Sequence, residues 1–387
     1  MEQTRIRRGL SECGALCSRL LARDWPPMVA WGVAILVVVT GAITFGYDPL
    51  DSTTWARWDS NLYEAIARDG YDLFPCREGI APGTWCGDAG WFPAYSWVVA
   101  ALHQFGLPIR GSAVAVSWLF AGATLALLWA TFLGRRLTAA AVIVLAYAAF
   151  APGQIYSYAV FPLSMLTFFT VAHLWLLHRS RFVAAGVAGA VAVLSYPLGV
   201  LLVPVSAVWL LSARGAPLRE RLRRTAWASG LTLAGFGVLL VDQRIETGRW
   251  NAYFLVQEKY DHQLQSPFTA LRSALYQLRQ GSPFELDNAP AFQTVLVTSV
   301  LFAVLLLLWV RRRSFARLDC LLVLWAIVTW AFPLSQTNVS ISRSQAALLP
   351  LALLVGRLPR LVALAFVVAA VIIAVTMEKL FLQGSLV

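Results

Sequence analysis

The chain has 387 residues, of which 59% are hydrophobic and only 13% are charged. Its mean hydropathy is +0.66, and several apolar runs approach the ~20 residues that cross a bilayer as a helix. These values exclude a soluble domain and predict an all-α, multi-pass membrane protein. The net charge of +11 comes largely from arginine clusters between apolar runs, at 5–8, 214–224 and 311–317. That placement follows the positive-inside bias, which marks these segments as cytoplasmic and argues against nucleic-acid binding.

We expect a single membrane unit over residues 1–387, in which about eleven apolar segments cross the bilayer. The predicted segments are 28–46, 91–107, 112–133, 137–151, 156–177, 182–211, 225–241, 291–310, 316–334, 344–356 and 360–381. No small-residue cleavage pattern follows the first run, so it is expected to stay as an anchor. The segment 182–211 is interrupted at Tyr196–Pro197 and Gly199, and could be two short helices that line a cavity. Charge alone leaves the orientation of residues 107–211 open.

Two polar segments are too long to be turns, one at 47–90 and one at 242–290. They separate a first helix (28–46), a central group (91–241) and a C-terminal group (291–387). Eight of the chain's twenty acidic residues lie in the first polar segment. Both polar segments fall opposite the arginine-rich ones, so both are predicted to be external loops. Each is expected to carry short helices that lie on the membrane surface.

Cys76 and Cys86 lie ten residues apart in the first external loop. They could be two unpaired thiols. An external location favours a disulfide between them.

The first loop also contains the strongest candidate for catalytic chemistry. Residues 55–69 contain no Gly or Pro and are predicted to form an amphipathic helix. The apolar face of that helix is predicted to consist of Trp58, Leu62 and Ile66. Asp59 would lie near the start of the helix, one turn before Tyr63. A carboxylate at the membrane surface can accept a proton from a hydroxyl nucleophile. Alternatively, Asp59 only caps or solvates a surface helix.

Residues 87–95 read as the point where the chain re-enters the membrane. Trp91 and Tyr95 are typical of the aromatic belt at the interface, and Pro93 suits the first turn of a helix. Asp88 could face the same cavity as Asp59. It is therefore the second candidate for a catalytic carboxylate.

The first loop and its continuation resemble the opening of the PIG-V-type mannosyltransferases, the GPI mannosyltransferase 2 family and its bacterial relatives. These belong to the GT-C glycosyltransferases. The resemblance begins with Trp58–Asp59, Tyr63, Ile66–Ala67, Gly70–Tyr71 and Phe92–Tyr95. Weaker matches follow in the family's order at Tyr156–Phe161, Ser195–Gly199, Gln257 and Ser342–Arg343. Together they span roughly residues 25–360.

The resemblance implies a GT-C fold and an inverting transfer of mannose from a polyprenyl-phosphate carrier. The acceptor would be a lipid, a glycan or a protein at the non-cytoplasmic face, which in a bacterium is the outer face of the plasma membrane. Asp59 would be the base that deprotonates the acceptor hydroxyl. The carrier phosphate needs a cation, for which Arg343, Arg57 and Lys259 are the candidates. Further candidates for substrate binding are Asn61, Tyr63, Tyr95, Tyr196 and Gln257.

We expect no cofactor and no metal, because a lipid-linked donor needs neither. The sequence contains no nucleotide-binding glycine loop and no His/Cys ligand array. The partners implied are the lipid bilayer, the polyprenyl-phosphate-mannose donor and the acceptor.

Two departures from the family pattern leave other functions open. The turn at 156–161 has Tyr158–Ala159 where the family carries an acidic residue, and Tyr196 stands where relatives often carry Arg. A catalytically inactive scaffold of the same fold is therefore an alternative. A transporter or lipid flippase is another, although it would need functional charges within the spans, and residues 89–219 contain no acidic residue.

Overall fold

The computed structural model describes residues 24–77, 83–281, 286–310 and 316–386. The arginine cluster predicted at 5–8 lies outside these residues, as does most of the cluster at 311–317. The described chain is largely helical. Its helices are α1 (Asp24–Thr44), α2 (Ser60–Asp69), α3 (Ala94–His103), α4 (Ile109–Thr131), α5 (Ala139–Ala149), α6 (Leu163–His178), α7 (Phe182–Ser195), α8 (Leu202–Leu211), α9 (Leu218–Thr225), α10 (Leu231–Thr247), α11 (Ala252–Glu258), α12 (Pro267–Gln280), α13 (Ala289–Val310), α14 (Arg317–Leu334), α15 (Ile341–Ser344), α16 (Ala352–Val355) and α17 (Arg360–Leu382).

Six helices in the described ranges are long and apolar enough to cross a membrane. They are α1, α4, the continuous helix Leu218–Thr247 that joins α9 to α10 through one π-helical turn, Leu286–Val310, α14 and α17. Five shorter apolar helices of 10–17 residues accompany them. The predicted integral membrane character is confirmed, whereas the count of about eleven crossings stays a prediction.

The predicted segment 182–211 is broken in two at the position that its sequence marked. Helix α7 ends at Ser195, Tyr196 is fully extended, and a 3₁₀ turn over Pro197–Leu201 leads into α8. The cause is local, because a residue before proline is driven out of the helical region and proline has no N–H to donate. Gly199 lets the turn fold back against α7, since a Cβ there would lie 2.4 Å from the Ala192 carbonyl.

The helical core is built around α4, α6, α7 and α10, with α7 packed between α6 and α10. Close approach of α7 and α10 depends on small residues. A Cβ on Gly235 of α10 would lie 2.5 Å from the carbonyl oxygen of Ala190 in α7.

His173 is fully buried in α6, where its ring is hydrogen-bonded to the Ala185 carbonyl and to the Ser206 hydroxyl, both at 2.7 Å.

The helix predicted over 55–69 is shorter than expected. A 3₁₀ turn occupies Ser52–Trp55, and α2 begins only at Ser60. The reason is that the Ser60 hydroxyl accepts the Arg57 N–H at 2.9 Å and so holds a turn just before the helix. Trp58 lies in this turn with a left-handed backbone (φ 52°) and an exposed ring. It therefore does not join Leu62 and Ile66 on the predicted apolar face.

The tip of the first loop is an antiparallel pair of strands, β1 (Leu73–Pro75) and β2 (Trp85–Gly87). Cys76 and Cys86 form a disulfide that closes this hairpin, with their Cα atoms 5.0 Å apart. Gly87 has a left-handed φ of 116°, and a Cβ there would overlap the Asp72 carbonyl oxygen. The disulfide and the glycine together fix how the hairpin returns to α3.

Candidate functional site

A cavity of about 540 Å³ lies where both predicted external loops meet the segment between α14 and α15. The first loop contributes Asp59, Tyr63 and residues 90–92, and the second contributes Tyr253, Gln257, Tyr260 and His262. The segment between α14 and α15 contributes Gln336 and residues 338–340, and α15 contributes Arg343. The two polar loops therefore lie at the same end of the helices, and that end is where the cavity forms.

Asp59 and Arg343 form an ion pair in the cavity wall, between Oδ2 and Nη1. Asp59 immediately precedes α2 but makes no side-chain bond to that helix. The capping role considered from the sequence is therefore not observed. The Arg343 side chain is only 9% exposed, whereas that of Asp59 is 25% exposed. The pair thus presents a partly accessible carboxylate beside a deeply held cation.

Arg343 is held by aromatic rings as well as by Asp59. Its guanidinium carbon lies 4.9 Å from the centre of the Phe161 ring and 5.7 Å from that of Tyr156. Its Nε–H has no hydrogen-bond partner among the described residues. A buried donor without a partner is costly, so an anion that reached it would be bound strongly.

Two tyrosines line the cavity with the ion pair, Tyr63 buried and Tyr196 half-buried. Tyr63 follows Asp59 by one helical turn, and its ring packs edge-on against Tyr95 and Phe161. Burial raises the pKa of Tyr63 well above its usual range, so its hydroxyl stays neutral. Tyr196 reaches the cavity from the break between α7 and α8. Both residues were candidates from the sequence.

Gln257 joins the first and second loops. Its amide nitrogen donates to the Gly90 carbonyl at 3.0 Å, and its amide oxygen lies 3.2 Å from Nε2 of His262. Gly90 must be small here, because a Cβ would lie 2.9 Å from the Gln257 amide nitrogen. The other His262 nitrogen lies 3.1 Å from the Thr337 carbonyl. The sequence predicted Gln257 and assigned no role to His262.

One wall of the cavity is a pairing of two segments that the sequence did not suggest. Residues 260–265 run antiparallel to residues 335–338, with a bridge between Leu264 and Gln336. Gln265 N–H donates to the Ser335 carbonyl at 2.9 Å, and the Asn338 amide donates to the Tyr260 carbonyl at 3.0 Å. This pairing holds Tyr260, His262 and Asn338 at the cavity.

Lys259 lies beside the cavity rather than in its lining. Its ammonium is 5.0 Å from the centre of the Tyr260 ring and 5.8 Å from that of Trp91. Partial burial lowers the pKa of Lys259, and the charge of Asp59 opposes that shift. Lys259 is therefore a second cation near the ion pair, without a direct bond to it.

Three other sequence candidates do not reach the cavity. The Arg57 guanidinium donates to the carbonyls of Thr53 and Ala56 at 2.7 Å and to that of Leu382 at 3.1 Å, so it anchors the loop to the end of α17. Asn61 is exposed on the outer side of α2. The fully buried Tyr95 donates to the Ala113 carbonyl at 2.7 Å in the core.

Asp88 is buried in the loop and also does not line the cavity. Its carboxylate accepts the Asp72 N–H at 2.7 Å, and its own N–H donates to the Asp72 carbonyl. Burial raises the pKa of Asp88 to about 6, and the nearby carboxylates of Asp72 and Glu246 act in the same direction. These contacts give Asp88 a structural position in the hairpin.

The turn at 156–161 supports the Asp59 loop through its backbone. Val160 N–H donates to the Trp55 carbonyl at 2.9 Å, and the Ser60 hydroxyl lies 3.1 Å from the Val160 carbonyl. Tyr158 is buried against Trp118, with ring centres 5.9 Å apart.

Within the described ranges, no three His, Cys, Asp or Glu side chains are grouped so that they could hold a metal ion.

The cavity lining also contains apolar side chains. They include Leu198, Val200, Phe236, Phe332 and Pro333, which come from the α7–α8 break, α10 and α14. Phe332 is also 41% exposed. The cavity thus combines the charged pair of Asp59 and Arg343 with apolar side chains, some of which come from helices that are long and apolar enough to cross a membrane.

The sequence matches no protein-family model and no curated protein. The structure is similar to that of ArnT from Cupriavidus metallidurans bound to undecaprenyl phosphate, with a TM-score of 0.54 and 16% identity over 93% of this chain and 76% of that chain. It is also similar to the oligosaccharyltransferase AglB from Archaeoglobus fulgidus in complex with an inhibitory peptide and a dolichol-phosphate. There the TM-score is 0.51, with 12% identity over 94% of this chain and 56% of that chain.

A second structure of the Archaeoglobus fulgidus oligosaccharyltransferase, tethered with an acceptor peptide that contains the NVT sequon, gives a TM-score of 0.52 at 12% identity. The chain spans just over half of the oligosaccharyltransferase chains and about three quarters of the ArnT chain. At such identities the likeness concerns the fold. The predicted GT-C fold is confirmed, and the resemblance to the PIG-V-type subfamily stays a prediction.

Proposed function

We propose that this protein is an inverting glycosyltransferase that takes a sugar from a polyprenyl-phosphate carrier and passes it to a hydroxyl acceptor. The observation that carries the proposal is the Asp59–Arg343 pair in the wall of a cavity whose lining is otherwise largely apolar and aromatic. A base and a phosphate-binding cation are the two groups that such a transfer requires. ArnT, which shares the fold, has been observed with undecaprenyl phosphate, and AglB with a dolichol-phosphate.

Arg343 is the proposed phosphate ligand. A guanidinium stays charged at any physiological pH and can offer two parallel N–H donors to a phosphate. The Nε–H of Arg343 is buried and has no partner among the described residues, so a phosphate that reached it would pair a donor that otherwise has none. Phe161 and Tyr156 lie beside the guanidinium and restrict its movement, which limits the entropy lost on binding.

Asp59 is the proposed general base. In the reaction, Asp59 takes the proton of the acceptor hydroxyl as that oxygen attacks the anomeric carbon of the sugar. The new carbon–oxygen bond forms while the bond from the anomeric carbon to the phosphate oxygen breaks. The electron pair of the broken bond stays on the phosphate, and polyprenyl monophosphate leaves. Attack opposite the leaving group inverts the anomeric centre.

The apolar part of the cavity lining suits the prenyl chain. Leu198, Val200, Phe236 and Phe332 contribute to it, and Phe332 is also partly exposed. Burial of each CH₂ group contributes about 0.8 kcal/mol, so a long prenyl chain adds affinity that a soluble sugar phosphate lacks. The phosphate would then lie at Arg343.

Mannose is the proposed sugar, and its support is the resemblance of Trp58–Tyr63 and Phe92–Tyr95 to the PIG-V-type mannosyltransferases. A lipid, a glycan or a protein is the proposed acceptor. The proposed active-site face is non-cytoplasmic, since the cavity is formed by the two loops that lie away from the arginine-rich segment 214–224. No cofactor is proposed beyond the lipid-linked donor.

Comparative analysis of glycolipids and glycans from cells with and without this chain is the first test. A mannosylated product that disappears without the chain, and returns with the wild-type chain but not with Asp59→Asn, would support the proposal. Purified protein in vesicles should then transfer radiolabelled mannose from polyprenyl-phosphate-mannose to that acceptor.

Two results of the same experiment would favour the alternatives. Movement of the lipid-linked sugar across vesicles without covalent change would indicate a flippase. If the vesicles show neither transfer nor movement of the sugar, and the cellular glycan profile is unchanged, the chain is a scaffold of the same fold. The departure from the family pattern at Tyr158–Ala159 leaves that alternative open.

A further inference from the structure

Helix α12 in the second loop presents three distinct faces, and one of them is exposed although it is largely apolar. Successive residues are about 100° apart around a helix, which sorts its side chains into sectors. The buried or half-buried sector is Ala270, Leu271, Ala274 and Leu278. A second, exposed sector is neutral and polar, with Thr269, Ser273, Gln277 and Gln280. The third is also exposed and consists of Phe268, Arg272, Leu275, Tyr276 and Arg279.

The buried sector packs α12 against α13 and α14. Both of these helices are long and apolar enough to cross a membrane. Phe268 extends from the apolar sector to the Trp330 ring of α14, with centres 6.2 Å apart. The exposed apolar sector therefore begins at the end of a membrane helix, on the side of the protein where the cavity lies.

The charges of α12 are of one sign and lie in one sector. Arg272 and Arg279 are the only charged residues in Pro267–Gln280. Neither forms an ion pair with any described residue. Arginine among exposed aromatic and aliphatic side chains, with a neutral polar sector beside it, is the pattern of a helix that lies in the headgroup region of a bilayer. Guanidinium groups bind phosphate oxygens, and they are attracted to anionic lipids.

We propose that α12 lies in the bilayer interface and that Arg272 and Arg279 bind the phosphates of anionic phospholipids there. Phe268, Leu275 and Tyr276 enter the boundary between headgroups and acyl chains, while Gln277 and its sector face water. Because α12 directly follows the 260–265 wall of the cavity, this anchoring fixes that wall at the membrane surface. The inference does not depend on the proposed glycosyl transfer.

The test uses two labels on the same helix. Cys13, Cys17 and Cys320 are replaced by Ser, and a single Leu275→Cys or Gln277→Cys change is labelled with an environment-sensitive fluorophore. The full chain is placed in vesicles of phosphatidylcholine that contain spin-labelled lipid. The label at 275 should be blue-shifted and quenched by the lipid, and the label at 277 should behave as in water. Equal, water-like behaviour of both labels would overturn the interfacial position. A blue-shifted but unquenched label at 275 would also overturn it, since a protein would then cover that face.

The second arm tests the choice of lipid. Phosphatidylglycerol and phosphatidylcholine, each spin-labelled, are compared as quenchers of the label at 275 at equal mole fraction. The anionic lipid should be enriched near α12 by up to ~5-fold per arginine. The double variant Arg272→Gln/Arg279→Gln should lose that preference. In the same variant, the label at 275 should still be quenched by lipid and the label at 277 should still behave as in water. Equal quenching by both lipids in the otherwise unchanged chain would contradict anionic-lipid binding.

Discussion

Asp59 and Arg343 are 284 residues apart in the sequence and form an ion pair in the cavity wall. The two residues come from opposite ends of the chain, one just before α2 and the other in α15. Since Arg343 is the more buried partner, the pair is held in place by the cation and its aromatic neighbours. The carboxylate remains partly accessible from the cavity, as a base must be.

Arg343→Gln should weaken binding of polyprenyl monophosphate by roughly ten- to a hundred-fold. The change removes a charge-assisted contact worth about 1.5–3 kcal/mol and keeps a side chain of similar length. Affinity of the purified protein for undecaprenyl monophosphate is the measurement. Arg68→Gln is the matched control, because Arg68 carries the same charge in an exposed pair with Asp69, on the loop that also holds Asp59. A well-folded Arg343→Gln protein with unchanged affinity would show that Arg343 does not contact the phosphate.

Asp88→Asn should stabilise the protein above about pH 6. Burial raises the pKa of Asp88 to about 6, so the folded state holds its proton more tightly than the unfolded state does. The contribution of Asp88 to stability is therefore greatest at low pH and falls as the pH rises from the unfolded pKa through 6. Asn stays neutral and can still accept the Asp72 N–H. The gain is at most about 3 kcal/mol, since each pKa unit corresponds to about 1.4 kcal/mol.

This effect is measured by thermal unfolding in detergent at about one-unit steps from pH 4 to pH 8. These steps cover the interval between the unfolded and folded pKa of Asp88. The two proteins should converge at the acidic end and separate at the neutral end. An Asp88→Asn protein that is less stable than the wild type at neutral pH would contradict burial of an ionised carboxylate.

The sequence predicted the local part of the site better than its distant part. Asp59 and Tyr63 could be placed together because one helical turn separates them. The sequence of the first loop does not show which of its charged side chains are engaged in structural contacts. Asp88 and Arg57 look as available for substrate as Asp59 does. In the structure, however, the Asp88 carboxylate accepts the Asp72 N–H, and the Arg57 guanidinium donates to the Leu382 carbonyl.

His262 and Asn338 were missed for another reason. They reach the cavity through the pairing of 260–265 with 335–338, and bonded residues such as His262 and Thr337 are 75 positions apart. Neither segment has a periodic pattern that would reveal its partner. The break at Tyr196–Pro197, by contrast, followed from the properties of proline and could be predicted.

Removing the disulfide should loosen the hairpin and little else. In the double variant Cys76→Ser/Cys86→Ser, amide exchange over residues 72–77 and 83–88 should accelerate. A loop of this length closed by a bridge gains about 2–3 kcal/mol locally. Exchange in α2 should stay unchanged, since the ion pair of Glu64 with Arg110 holds it independently. Unchanged exchange in the hairpin, or free thiols in protein mapped without reduction, would count against the bridge.

The two polar loops should be accessible from the same, non-cytoplasmic side. Single cysteines at Asn61 and Gln277 should react with an impermeant maleimide on intact cells, because both positions are exposed in these loops. Ser212→Cys, beside the arginine-rich segment, is the opposite control and should react only after permeabilisation. Labelling of position 212 alone on intact cells would reverse the topology.

The rate of sugar transfer by Asp59→Asn tests the central claim most directly. Asn keeps the size of the side chain and can still accept a hydrogen bond from Arg343, but it cannot take the proton of the acceptor. Transfer of labelled mannose to the acceptor identified in cells should fall by ~10²–10⁴-fold, with protein level and undecaprenyl monophosphate binding retained. Asp88→Asn should remain active. An Asp59→Asn protein that transfers at the wild-type rate would contradict the proposed mechanism.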